Sequence, residues 1–221
     1  MIAMAALCEA ARAAAKLGIL GGSFDPPHIG HLHAARAARE RFGLDHVVFV
    51  PARIPPHKQD RRLASGADRL ALLELLLAGE PWTSVSAIEL DREGPSYSVD
   101  TARAFRAETE AELAWILGSD NLAGLPGWRA AGELLRLCRP IVIHREGDAL
   151  DLDAVLDDAA RERLGPKVCA RLREGLCAAP PVDASSSELR ERLAAGRDPG
   201  PTLPASLREY IAANGIYGAR G

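Results

Sequence analysis

Gly21-Gly-Ser-Phe-Asp-Pro-Pro-His-Ile-Gly-His31 is the stretch on which the reading of this chain turns. A short apolar run, Leu17-Gly-Ile-Leu-Gly21, leads into it, and a stretch of helical periodicity begins at its end. A strand that ends in a glycine pair and feeds a helix is the opening unit of a doubly wound sheet. In such sheets ligands gather outside the C-terminal ends of the strands, beside helix N-termini. Gly21 and Gly22 permit a tight turn and a close approach of backbone to ligand, and Pro26 and Pro27 stiffen the loop. His28 and His31 stand three apart and share one face of the first helical turn. Gly30 between them leaves room for a nucleotide against the backbone. A helix start already favours anions, and two imidazoles there add donors that can grip a phosphate.

Outward from this segment the chain alternates. Apolar runs rich in β-branched residues lie at His46–Val50, around Trp82–Ile88, at Leu113–Leu117 and at Ile141–His144. Runs so short and continuous suit strands buried on both faces. Helical spacing separates them at about 29–42, 66–79, 99–110, 128–137 and 152–164, and from about 183 the chain turns purely helical. Ser65 with Asp68, Ser185 with Glu188 and Ser206 with Glu209 have capping-box spacing. The β-α-β-α order predicts a mostly parallel sheet with helices on both faces.

The 221 residues allow one generous domain, long enough to bury a core without disulfide or metal staples. Lys plus Arg is 27 and Asp plus Glu is 30, a net charge of −3. That balance argues against a nucleic-acid backbone as partner, which wants a basic face. Cys8, Cys138, Cys169 and Cys177 form no CxxC pair and no zinc-finger spacing, so reduced thiols and a cytoplasmic location are expected. No run approaches the ~18 apolar residues of a membrane span. The apolar, Ala-rich residues 1–16 lack a basic lead and a strong hydrophobic run and are expected to form a short helical or disordered extension.

The signature segment fits neither GxGxxG nor GxxxxGK[ST], so neither dinucleotide-reductase nor kinase-type chemistry is indicated. A zinc reading of the His pair lacks HExxH and a third ligand. Far downstream, Ser185-Ser-Ser-Glu-Leu-Arg190 offers hydroxyls at a helix start with a cation on the next turn, a second anion-binding arrangement. His33, His46 and His144 fit no such pattern and are read as structural. Asp151, Asp153, Asp157 and Asp158 read as a solvated acidic face.

The first segment resembles the GGxFDPxHxGH signature of nucleotidylyltransferases, in particular of the bacterial nicotinate-mononucleotide adenylyltransferase family. His28-Ile-Gly-His31 also spells the HIGH motif shared with class I aminoacyl-tRNA synthetases. Ala184-Ser-Ser-Ser-Glu-Leu-Arg190 resembles the family's ISSTxIR, with Ala184, Ser187 and Leu189 as departures. Pro55-Pro-His-Lys58 resembles its PPHK loop, Tyr97-Ser-Val-Asp-Thr101 its YTxDT, and Gly118-Ser-Asp-Asn-Leu122 its GxDNL, followed by Trp128. Arg145 matches a strand-end arginine, and Leu203-Pro to Tyr210-Ile and Asn214-Gly-Ile-Tyr217 resemble the C-terminus. The resemblance covers about residues 17–217.

It implies a Rossmann-like doubly wound parallel sheet over 17–182 and a helical C-terminal subdomain over 183–221 that completes the ATP site. The implied reaction is adenylyl transfer from ATP to nicotinate mononucleotide, with Mg²⁺ carried on the ATP phosphates and no protein metal ligand. His28, His31 and Arg190 would be catalytic. Gly21, Gly22, Ser23, Phe24, Gly30, Gly118, Asp120, Ser185, Ser186 and Ser187 would line ATP. Lys58, Tyr97, Ser98, Asp120, Trp128 and Arg145 would line nicotinate mononucleotide. Partners would be these small molecules, with no nucleic acid and no membrane; a homo-oligomer is compatible with the reading. One rival acceptor is nicotinamide mononucleotide. Another is pantetheine phosphate, whose enzyme usually has Thr in place of His28 and a shorter chain. A non-catalytic nucleotide sensor would have lost His31 or Arg190. A tRNA synthetase would show a KMSKS-like loop and an anticodon-binding domain.

Overall fold

Continuous apolar runs become strands whose two faces are covered by separate helical layers. The computed structural model describes residues 6–55, 63–147, 150–183 and 185–218. The first half runs α1 (Glu9–Ala13), β1 (Lys16–Gly22), α2 (Ile29–Phe42), β2 (His46–Pro51), α3 (Gly66–Leu77), β3 (Thr83–Val85), α4 (Ile88–Asp91) and α5 (Ser98–Glu108). The second half runs β4 (Glu112–Gly118), α6 (Ala131–Leu137), β5 (Arg139–Arg145), α7 (Leu152–Val155), α8 (Asp158–Leu164), α9 (Pro166–Glu174), β6 (Leu176–Ala179), α10 (Ser186–Ala194) and α11 (Ala205–Ala213).

All six strands pair in parallel, in the order β3-β2-β1-β4-β5-β6. This is the strand order of the doubly wound nucleotide-binding sheet, whose direction of winding reverses between β1 and β4. Side chains alternate across each strand. Leu17, Ile19, Leu113, Trp115 and Val142 face one layer with Val99, Phe105, Leu134 and Leu172. Leu20, Phe49, Ile116 and Ile141 face the other with Ala35, Leu72, Leu189, Leu207 and Ile211. Each fully buried Leu, Ile or Phe contributes about 1.5–3 kcal/mol. The helices after residue 185 therefore share a core with the first β-α units.

The sequence expectations and the structure differ in a few places. The helix expected over 152–164 is two helices, because Asp157 caps α8 by accepting from the Ala160 N–H and so ends α7. The strand expected around Trp82–Ile88 is only three residues long, and α4 follows it. Ser65 caps α3 through the Asp68 N–H at 3.0 Å. Ser185 precedes α10 without a side-chain cap, and Ser206 lies inside α11, which starts after Pro204. The described part of the N-terminal extension is folded against the sheet. Leu7 and Ala11 are buried in the first core, and the Ala6 and Leu7 N–H groups donate to the Glu108 carboxylate. The cysteines are unpaired, and all but Cys8 are buried. No described helix is long and apolar enough to cross a membrane.

Candidate active site

Parallel pairing brings every strand's C-terminal end to one edge, so Gly22, Gly118 and Arg145 end at the same side of the sheet. The loop after β1 and the turn Ser119–Asn121 after β4 flank the point where winding reverses. A ligand crevice is expected there. A side chain would crowd its neighbours at two of its positions. A Cβ on Gly22 would press the Phe24 ring at 3.1 Å, and one on Gly118 would strike the Asp120 carboxylate. That carboxylate is held by the Asn121 side-chain amide at 2.9 Å.

The histidine pair opens α2. The two rings lie 3.9 Å apart between centroids. His31 Nδ1 accepts the His28 backbone N–H at 3.2 Å, which leaves the ring proton on Nε2. Phe24, 1% exposed, sets its ring edge-on to His31 at 5.0 Å and lies against Phe49. The sequence reading places Phe24 beside ATP; the structure puts its ring beneath His31. Burial lowers the His28 pKa to about 4, so this ring is neutral at neutral pH. Its Nδ1 is buried and has no hydrogen-bond partner among the described residues.

The C-terminal helices close over the loop. Ser186 Oγ donates to the Pro26 carbonyl at 2.9 Å, and Arg190 donates to the Asp25 carbonyl. The Arg190 guanidinium also donates to Ser187 Oγ at 2.9 Å and lies 3.7 Å from the Asp25 carboxylate. Ser186 and Arg190 thus bond to the loop that leads into the histidine pair. Ser185 is exposed just ahead of α10.

On the far side of β4, Tyr97 precedes α5 and Ser98 begins it, so the first N–H groups of that helix point out of its start. Tyr97 and Trp128 are both half-buried against the first core. The Arg129 guanidinium lies over the Tyr97 ring at 4.6 Å. Arg103 forks onto Glu133 at 2.7 and 2.6 Å and fixes α5 against α6. Arg145 is exposed at the end of β5; Lys58 lies outside the described residues.

Sequence reasoning missed Arg129 and Arg69, and it named Tyr217 only within the C-terminal resemblance, with no role at the site. Positive φ marks two of the three neighbourhoods. Among the described residues the non-glycine positions with φ above zero are Phe24 at 47°, Ala130 at 50° and Tyr217 at 58°. Such backbone costs about 1–3 kcal/mol per residue and collects at functional sites. Among the described residues no group of three or more His, Cys, Asp or Glu is placed to hold a metal.

A doubly wound sheet with a histidine pair after its first strand and an arginine helix across that loop has the build of a nucleotidyl-transfer protein. Residues 19–192 match the cytidylyltransferase-like family, and the chain belongs to it. More particularly, it is similar to nicotinate-nucleotide adenylyltransferases. It is 43% identical over 204 residues to a probable nicotinate-nucleotide adenylyltransferase of Gloeobacter violaceus, spanning 91% of this chain and 96% of the relative. It is 41% identical over 205 residues to one of Roseiflexus sp., spanning 92% and 98%. Among solved structures it is similar to the nicotinic acid mononucleotide adenylyltransferase of Plasmodium falciparum complexed with APC. The TM-score there is 0.71 at 16% identity, over 93% of this chain and 98% of that one. The same Plasmodium protein complexed with NaAD superposes with a TM-score of 0.67 at 17% identity.

Proposed function

We propose that this chain is a nicotinate-nucleotide adenylyltransferase, which transfers the adenylyl group of ATP to nicotinate mononucleotide in NAD biosynthesis. A 5′-phosphate oxygen of the mononucleotide attacks the α-phosphorus of ATP. The new P–O bond forms as the bond from the α-phosphorus to the bridging oxygen breaks, and its electron pair leaves with pyrophosphate. The product is deamido-NAD.

The observation that carries this reading is the union of two distant segments. Ser186 and Arg190 bind the carbonyls of Pro26 and Asp25, within six residues of both histidines. A phosphate nucleophile is already anionic, so the protein supplies position and charge stabilisation rather than a base. His28 and His31 hold the α- and β-phosphates, the latter through Nε2–H. Arg190, Ser185, Ser186 and Ser187 hold the β- and γ-phosphates. Gly21, Gly22, Ser23, Gly30, Gly118 and Asp120 let the nucleotide lie against the backbone. Tyr97 and Trp128 offer flat faces to the pyridine ring, and the start of α5 at Ser98 receives its carboxylate. Lys58 and Arg145 are assigned to the mononucleotide phosphate side.

Mg²⁺ bound through the ATP phosphates would neutralise triphosphate charge and keep mostly water ligands. The described residues fit that role because phosphate donors, rather than a carboxylate cage, line the loop. The working partners are small molecules in the cytoplasm.

Pyrophosphate release from ATP tests the reading, with nicotinate mononucleotide, nicotinamide mononucleotide and phosphopantetheine offered in turn. Turnover led by nicotinate mononucleotide is the expected result. Turnover led by phosphopantetheine, or none with any acceptor, would overturn it.

A further inference from the structure

Arg69 is the largest of the described side chains closed off from solvent, at 2% exposure, although it is charged. It sits in the first turn of α3, in a stretch where leucines would pack at no electrostatic cost. Its Nη1 donates to the Ser23 carbonyl at 2.8 Å and to the Ala52 carbonyl at 2.7 Å, and its Nε to the Ala64 carbonyl at 3.1 Å. Those carbonyls belong to the chain as it leaves β1, as it leaves β2, and as it approaches α3. One planar fork therefore ties together two strand ends at the crevice edge, a task a point charge cannot perform.

Asp25 occupies the same buried space, at 1% exposure. Its carboxylate accepts the Ala64 N–H at 3.1 Å and the Tyr217 hydroxyl at 2.8 Å. Burial pulls the Arg69 guanidinium below its ordinary pKa, and the Asp25 charge opposes that pull. Burial, with Asp25 beside it, drives the Tyr217 phenol well above its ordinary pKa, so it remains a donor. Replacing a buried charge pair with apolar residues is often neutral or stabilising, so stability alone gives no reason for this cluster. Its geometry gives one. The residue held by Tyr217 is the same residue whose carbonyl and carboxylate seat Arg190.

We propose that Arg69 and Tyr217 are positioning residues that fix Asp25 and thereby set Arg190 and the loop after β1 for the triphosphate. The proposal rests on the adenylyl-transfer reading. It assigns neither residue a contact with substrate. Tyr217 has a left-handed backbone conformation, with φ at 58°.

Tyr217→Phe tests it in the full chain, because the ring and its packing survive and only the hydroxyl goes. ATP KM is expected to rise at least ~5-fold, the size of one lost hydrogen bond, with KM for nicotinate mononucleotide within about twofold of wild type. Arg69→Lys is expected to shift ATP KM further in the same direction. An unchanged ATP KM in Tyr217→Phe, or a parallel rise in both KM values, would overturn the proposal. Should Arg69→Lys fail to fold, Tyr217→Phe still decides. Calorimetric affinity for a non-hydrolysable ATP analogue separates the two readings. If wild type binds the analogue but does not turn over, the reaction assignment fails, while a weaker affinity in Tyr217→Phe still upholds the positioning role.

Discussion

His31 Nδ1 takes the backbone N–H of His28 at 3.2 Å, so that nitrogen is committed to shaping the helix start and the ring proton sits on Nε2. The two nitrogens can be separated by substitution. His31→Ala is expected to lower kcat at least ~100-fold, the loss typical of one charge-stabilising donor. Gln places an amide near the Nε2 position and Asn near Nδ1, so His31→Gln should retain more activity than His31→Asn. The reverse order in steady-state kinetics would show that the helix cap, not the phosphate donor, is what matters.

Arg190 makes two distinct sets of bonds, to the Asp25 carbonyl and to Ser187 Oγ. Arg190→Ala is expected to cost more kcat/KM than Arg190→Lys, and the lysine variant should remain impaired, because a planar fork matching phosphate geometry is not replaced by a point charge. Wild-type efficiency in both variants would remove α10 from the site.

The acceptor's carboxylate should matter. Nicotinate mononucleotide is expected to exceed nicotinamide mononucleotide in kcat/KM by at least ~10-fold, because the amide group would turn its NH₂ toward backbone donors at the start of α5 and leave them unpaired. Arg129, 4.6 Å over the Tyr97 ring, adds positive charge at that place. Arg129→Gln should lower efficiency with the acid and leave the amide unchanged. Equal losses with both acceptors would assign Arg129 to packing alone.

His28 titrates far from its ordinary range. Its native pKa of about 4 lies below the unfolded value of 6.5. The unfolded chain therefore binds more protons, and the native state loses stability as pH falls from 6.5 toward 4. At pH 5 the loss from this group is on the order of 2 kcal/mol. Burial of His46 acts in the same direction, and burial of Glu89 in the opposite one. His28→Gln should therefore show a smaller drop in unfolding free energy between pH 7 and pH 5 than wild type, by urea titration. Imidazole NMR should also show the His28 pKa rising when a triphosphate is added, because the anion favours the charged ring. A pKa near 6.5 in the ligand-free protein would contradict the burial.

The sheet was legible where both of its faces are buried, because His46–Val50 and Leu113–Leu117 are unbroken apolar runs that only a covered strand tolerates. β6 was not legible. Leu176-Cys-Ala-Ala is four residues with weak strand preference, and it is recruited by pairing with β5. α9 likewise escaped notice beside the acidic stretch before it. At the site, His28, His31 and Arg190 could be read because their types and spacing carry chemistry locally. Arg69 could not: a single arginine among helical leucines reads as a solvated charge, and only tertiary contact reveals the three carbonyls it holds. Tyr217 was hidden for the same reason, since its partner Asp25 lies 192 positions earlier.

That separation has a consequence for synthesis on the ribosome. The loop after β1 emerges early, yet its partners Ser186 and Tyr217 follow 160 and 192 positions later. At ~5–20 residues per second, the loop waits roughly 10–40 s for its last tether. During that interval a nascent chain can begin to pair strands but holds no arginine fork or tyrosine clamp over the nucleotide loop. Nucleotide capture is thus deferred until the chain as far as Tyr217 has been made, and chains stalled at residue 183 are expected to retain a fluorescent ATP analogue no better than unfolded protein does. Tight retention by such stalled chains would mean that the early loop grips nucleotide unaided.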